Sequence, residues 1–197
     1  DILMLGKVYK SIIFRLQMPD MRTLKFLNRQ RNGEDKTLLV GIIEELESEG
    51  IAVLSQKEYM SELFPSAGVL TRRKPAKQDM EDIAFGLPIA RKLADMEIGQ
   101  TLIVRKKTVV AVEGVEGTDQ AIQRGCALAE GKCVAIKVSR TDQDYRYDCP
   151  GIGAKTVETL VQGKASALAV EAERVMMIDL PRMIELADKG GLAIVAV

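Results

Sequence analysis

CVAIKVSRTDQDYRYDCPGIGAKTVETLVQGKASALAV, residues 133–170, carries an apolar strand, a turn-rich middle, a helix and a second apolar strand in that order. Cys133–Ser139 alternates with the period of a strand, Thr156–Val161 has helical spacing, and Ser166–Val170 is again extended. Towards the C-terminus, Val175–Ile178 is a further strand. Pro181 then opens a helix in its first turn, Gly190-Gly191 ends it, and Leu192–Val197 is a buried strand. Towards the N-terminus, Thr118 is the expected N-cap of a helix reaching Leu128. Thr101–Val104 and Thr108–Val112 form a hairpin around Lys106-Lys107. Asp79–Met96 is helical, with Gly86 and Pro88 expected to kink or divide it. Helices and strands interleave throughout, which is the α/β class.

The charged stretch TRRKPAKQD, 71–79, is the best linker, and a boundary near Lys74 divides the chain into 1–74 and 75–197. The first part begins in the apolar run Ile2–Leu5, ends it at Gly6-Lys7, and continues with a helix from Pro19-Asp20 through Leu24 and Leu27. A second helix, Lys36–Glu49, puts Leu39, Ile42, Ile43 and Leu46 on one face; Gly50 caps it and Ile51–Leu54 follows as a strand. Opening inside a strand suggests an incomplete first domain.

Histidine is absent from the 197 residues, which excludes Ser-His-Asp and Cys-His catalysis and imidazole-bound zinc. A general base must then be a carboxylate, Lys, Tyr or metal-bound hydroxide, and a metal should be a hard, oxygen-held ion such as magnesium. Lys+Arg and Asp+Glu both number 28, with no basic stripe, so nucleic acid is not an expected partner. Three cysteines without a CxxC pair fit reduced thiols in a cytosolic protein. The longest apolar stretch, LLVGII at 38–43, is too short to span a bilayer, and the N-terminus has no signal-peptide pattern.

If residues 142–148 are extended, Asp142, Asp144, Arg146 and Asp148 share one face, while Gln143, Tyr145 and Tyr147 take the other. Three adjacent carboxylates repel unless a cation lies among them. A divalent ion, with Arg146 on a phosphate oxygen, would resolve the conflict; a solvated acidic loop with a structural Asp–Arg pair is the alternative. Next, Pro150-Gly151-Ile152-Gly153-Ala154-Lys155-Thr156 leads two glycines into a helix, a place where backbone N–H groups can receive an anion. It is not a P-loop, because Ala154 stands where glycine is required. In VEGVEGTDQAI, 112–122, Glu113, Glu116 and Asp119 surround two glycines, and first-turn acids favoured by the helix dipole compete with a ligand role. Lys137, ending an apolar strand, is either a phosphate ligand or a snorkelling lysine.

Read together, GKV (6–8), GVLTRR (68–73), IGQTLIV (98–104), VEGVEGTDQAI (112–122), QDYRYDCPGIGAKTVE (143–158), ALAVEAERVMMID (167–179) and ADKGGLAIVAV (187–197) resemble one family over nearly the whole chain. The chain looks like the LpxI-type UDP-2,3-diacylglucosamine pyrophosphatases of lipid A biosynthesis.

The resemblance implies a truncated Rossmann-like N-terminal domain and a mixed-sheet C-terminal α/β domain. It implies a hydrolase acting on a phosphoric anhydride, with Mg²⁺ as cofactor, that turns UDP-2,3-diacylglucosamine into UMP and lipid X. The essential aspartate falls in Asp144-Tyr145-Arg146-Tyr147-Asp148, so Asp144, Asp148 and Arg146 are the expected catalytic residues and Asp142 a bystander. Asp144, Asp148, Glu116 and Asp119 are the expected metal ligands; Lys137, Gly151, Gly153, Thr156 and Thr71 are the expected phosphate contacts. The partner is a UDP-linked glycolipid, reached from the cytoplasm by peripheral contact with the inner membrane; a homodimer stays open. A kink at Gly86-Leu87-Pro88 would open a groove for the acyl chains. A non-catalytic or differently specific nucleotide-sugar-binding protein of the same fold is the rival expectation. Many relatives have glycine where this chain has Glu173, which bears on the local turn.

Overall fold

In a computed structural model of the chain, residues 1–6 and 35–197 are described. The helix expected from Pro19-Asp20 and most of GKV lie outside these residues. The contacts divide the chain into two compact units, residues 1–59 with 144–148, and residues 60–143 with 149–197. Both are α/β, as expected. The boundary expected near Lys74 falls inside the larger unit, because Thr71 is buried there and accepts the N–H of Ile194 at 2.9 Å.

The smaller unit pairs β1 (Ile2–Leu3) in parallel with β2 (Val53–Leu54). Between them runs α1 (Asp35–Ser48), followed after β2 by the single turn α2 (Gln56–Tyr59). Ile43 is buried, and Gly50 turns the chain out of α1 at φ 77°, a conformation that suits glycine.

The larger unit is built on a six-stranded sheet. Its strands are β3 (Gly68–Val69), β4 (Thr101–Arg105), β5 (Thr108–Val112), β6 (Val134–Lys137), β8 (Ala167–Val170) and β10 (Ala193–Ala196), in the order β3-β10-β8-β6-β4-β5. β6, β8 and β10 are mutually parallel, whereas β3, β4 and β5 pair antiparallel, giving the expected mixed sheet. A separate two-stranded ladder joins β7 (Gly151–Ile152) to β9 (Met176–Met177). The four helices are α3 (Lys77–Asp95), α4 (Thr118–Leu128), α5 (Ala154–Gln162) and α6 (Leu180–Gly190).

The strand period of two divides the core into two layers. Leu102, Val104, Val134, Ile136, Ala167, Ala169, Ala193 and Val195 pack with Ile83, Ala90 and Ala94 of α3. Ile103, Ala135, Leu168, Val170 and Ile194 pack on the other side, with residues of α4, α5 and α6 such as Ile122, Leu160 and Met183. Burial of both faces explains why these strands are continuously apolar.

α3 runs unbroken through Gly86 and Pro88, so the expected division does not occur. The physical reason for Gly86 is closeness: a Cβ there would lie 2.8 Å from Val104 Cγ2 and overlap Ile136. The Lys106-Lys107 hairpin is as expected, with φ of 49° and 57°, the positive values of a tight two-residue turn. Buried Asp82 of α3 holds that turn, accepting Lys106 N–H at 2.8 Å and Lys107 N–H at 2.7 Å. The cap of α4 differs from expectation. Gly117, at φ 85°, is the N-cap, and Thr118 is the first helical residue with its hydroxyl turned elsewhere.

Candidate functional site

In the larger unit the C-terminal ends of β5, β6, β8 and β10 lie at one edge of the sheet, as the registers require. The crevice beyond such ends is where open α/β sheets bind ligands. Lys137 ends β6 on the face shared with Ala135, opposite Thr101 in register. Its side chain is almost fully buried, and its ammonium donates to Thr101 Oγ1 at 3.0 Å, Thr118 Oγ1 at 2.8 Å and Glu113 Oε2 at 3.1 Å. Thr118 passes its own proton to Glu113 Oε1 at 2.8 Å, closing the network. Burial pushes the Glu113 carboxyl up, but the charge of Lys137 and the hydrogen bonds from Thr101, Thr118 and Lys137 outweigh it. The net position is below the usual range. Lys137 has three N–H groups and three acceptors. It is therefore the buried member of an ion pair and not a snorkelling lysine.

The first turns of α4 and α5 are tied together. Thr156 Oγ1 donates to Asp119 Oδ1 at 2.9 Å, and Lys155 Nζ lies 3.3 Å from Asp119 Oδ2. The N–H groups of Thr156 and Val157 return to the Gly153 carbonyl, and Gly151 sits in the β7–β9 ladder. Two of the expected phosphate-binding groups, the Thr156 hydroxyl and amide, are thus used internally. Glu116 is held by Arg124 at 2.6 Å and by the Gly114 N–H at 3.1 Å, and the Arg124 hydrogen bond leads the causes that lower its carboxyl. Thr71 donates to the Arg73 carbonyl and stitches the sheet edge to Ile194.

A second polar cluster gave no signal in the sequence. Buried Glu171, just beyond β8, receives Arg91 Nε at 2.9 Å, Arg174 Nε at 3.4 Å and the Ser139 N–H at 3.0 Å. Arg174 also donates to the Arg140 carbonyl, and Arg140 reaches Glu97 at 2.9 Å. Asp95 accepts both the N–H and the hydroxyl of Thr141, and the N–H leads the causes that hold its carboxyl below the usual value. Together these groups fix residues 139–143.

Residues 144–148 belong to the smaller unit. They are not extended, so the shared face of Asp142, Asp144, Arg146 and Asp148 does not form. The segment is a turn: Tyr147 and Asp148 N–H groups both return to the Asp144 carbonyl, at 3.4 and 3.1 Å. Asp144 Oδ1 accepts the Arg146 N–H at 3.0 Å, the local hydrogen bond by which aspartate competes with extended backbone. The Arg146 guanidinium then folds back on the same carboxylate, with Nε 3.0 Å from Oδ1 and Nη2 2.7 Å from Oδ2. Its Nη1 meets Glu47 at 2.9 Å, and the hydrogen bond with Asp144 leads the causes that raise its pKa. Tyr145 gives its carbonyl to the Gln56 N–H at 2.9 Å and its ring to Lys57, 5.4 Å away.

Among the described residues, no three His, Cys, Asp or Glu side chains are grouped to hold a metal ion. Glu116 and Asp119 each have a cationic partner within the larger unit, and Asp144 and Asp148 share one turn of the smaller unit. Carboxylate oxygens are the ligand type magnesium takes alongside waters and substrate phosphates, and this turn carries two such residues.

Residues 66–195 match the model of the LpxI C-terminal domain, and residues 1–63 match that of the LpxI N-terminal domain. The chain belongs to the LpxI family. A relative in Caulobacter vibrioides, described as UDP-2,3-diacylglucosamine pyrophosphatase LpxI, is 33% identical over 196 residues, covering 93% of this chain and 70% of that protein. In this LpxI-family chain Glu173, where glycine was the family expectation, adopts φ 56°. That is the left-handed region that favours glycine. No helix among the described residues is long and apolar enough to cross a membrane.

Proposed function

We propose that this chain hydrolyses the pyrophosphate bond of UDP-2,3-diacylglucosamine, releasing UMP and lipid X in lipid A biosynthesis. The observation that carries this reading is the 33% identity to the Caulobacter pyrophosphatase along 93% of the chain. The Asp144–Arg146 turn supplies the chemistry. Cleaving a phosphoric anhydride needs a cation to offset the oxygens and a carboxylate to orient or deprotonate water. Asp144 locks Nε and Nη2 of Arg146, so Nη1, now on half-exposed Glu47, is the nitrogen for which a phosphate oxygen competes.

Magnesium is the cofactor proposed with it; Asp144 and Asp148 would hold the ion, which supplies charge on the phosphates and an acidified water. The lipid substrate places the work at the cytoplasmic face of the inner membrane, and the protein would meet that surface peripherally.

The test is UMP release from UDP-2,3-diacylglucosamine with Mg²⁺, with chelator, and with unacylated UDP-glucosamine in its place. Release that needs both metal and acyl chains is expected. Binding of the glycolipid without UMP release, or undiminished release by the Asp144→Ala, Asp148→Ala double variant, would overturn the reading.

A further inference from the structure

The proposed hydrolysis leaves two buried thiols unused. Cys126, on the core side of α4, and Cys133, at the entry to β6, face each other with Sγ atoms 3.3 Å apart in a hydrogen bond. Seven positions of chain separate them, and both belong to the layer between the sheet and α4–α6. Their shared hydrogen bond lowers the Cys126 thiol, while that bond and burial drive Cys133 upward. Cys126 is thus the more acidic sulfur of the pair.

Cys126 also borders a groove. The groove, of about 660 Å³, runs between α4 and α5, from Asp119 and Lys155 at their first turns down to Gly131 and Lys164, and Cys126 is part of its wall. Gly163 lies directly over this sulfur: a Cβ at that position would stand 2.8 Å from Cys126 Sγ and 2.6 Å from its Cβ. Only glycine fits there, so its backbone rests against the buried thiol at the groove wall.

We propose that Cys126 and Cys133 form a dithiol redox site whose substrate is a small disulfide of the glutathione type, entering by the α4–α5 groove. The Cys126 thiolate attacks one sulfur of the small disulfide, forming a mixed disulfide and expelling the first thiolate, which takes up a proton. Cys133 then loses its proton and attacks the Cys126 sulfur, expelling the second small thiol and closing the Cys126–Cys133 bond. The two protein thiols are oxidised by two electrons, and one small disulfide is reduced to two thiols. Bringing the sulfurs from 3.3 Å to a bond of about 2.0 Å requires a short approach of α4 and the β6 entry.

The experiment incubates the folded chain with a series of reduced to oxidised glutathione ratios, quenches with acid and maps the peptides without reduction. Cys149, which is partly exposed, serves as the internal reference. The expected result is a Cys126–Cys133 linked peptide that appears in the wild type and is reversed by dithiothreitol. In Cys133→Ser, a glutathione adduct should accumulate on Cys126 instead. Labelling of Cys149 alone, or modification of the pair only once circular dichroism shows the chain unfolded, would overturn the proposal. So would an adduct on Cys133 in a Cys126→Ser variant that forms as fast as the wild-type crosslink. None of these readouts depends on pyrophosphatase activity, so they stand or fall separately from the hydrolase reading.

Discussion

Arg146 grips the carboxylate of Asp144, two residues before it, through two parallel contacts of 3.0 and 2.7 Å, inside a turn closed by that same residue's carbonyl. Such a fork is specific to guanidinium, because a lysine ammonium is a point charge. Arg146→Lys should keep the charge yet lose the fork, and UMP release should fall by about a hundredfold, equivalent to ~3 kcal/mol of barrier. Asp144→Asn, which keeps shape and removes charge, should fall at least as far. Equal kcat/KM values for Arg146→Lys and the wild type would remove the fork from the mechanism.

The sheet shows how much can be read from pattern alone. β6, β8 and β10 were legible because strands covered on both faces are continuously apolar, and α6 because Pro181 and Gly191 mark its ends. The candidate site was legible only as residue types. The 142–148 reading rested on a period of two, which holds only for extended backbone, and the Asp144 carboxylate instead bonds the Arg146 N–H and curls the chain. Thr118 looked like a cap, but its hydroxyl is claimed by Glu113 and Lys137 from two other elements, a non-local competition that no window of sequence contains. Glu171 after an apolar strand reads as an ordinary loop acid; only the fold brings Arg91, 80 residues earlier, against it.

Two glycines should respond differently to alanine. At Gly99 a Cβ would run into the backbone of Glu113, overlapping its carbonyl oxygen and lying 2.7 Å from its carbon. At Gly86 the obstacles are the side-chain ends of Ile136 and Val104, which can rotate. Gly99→Ala should therefore cost about 3 kcal/mol and Gly86→Ala about 1 kcal/mol, the span usual for overpacking. Thermal denaturation measures both, and the ranking would be wrong if Gly86→Ala melted lower.

Glu173 holds φ 56° while its N–H donates to the Pro65 carbonyl at 2.9 Å. A non-glycine residue in this region is strained by roughly 1–2 kcal/mol, and glycine relieves it at some entropic cost in the unfolded chain. Glu173→Gly should raise stability by about 0.5–1 kcal/mol with UMP release unchanged. Chemical denaturation at fixed protein concentration would show this as a higher midpoint with the same slope.

The Glu113–Lys137 pair makes a pH-dependent prediction. Removing one member of a buried pair strands the other charge, at about 3–5 kcal/mol. Glu113→Gln keeps an acceptor for Thr118 but leaves the Lys137 ammonium without its counter-charge, so a loss towards the lower figure is expected at neutral pH. The sign follows from the lowered carboxyl of Glu113. A group whose pKa is lower in the folded chain than in the unfolded one stabilises fully above the unfolded value, about 4.3 for glutamate. That contribution is lost as the pH falls through the folded value. The melting-temperature gap between wild type and Glu113→Gln should be widest at neutral pH and close progressively below about pH 4. Lys137→Met should leave Glu113 buried alone, and acidification should then stabilise that variant relative to its neutral-pH state, because a neutral carboxyl suits the site better. A gap that stayed constant from pH 7 to pH 3 would show that the pair contributes shape and not charge.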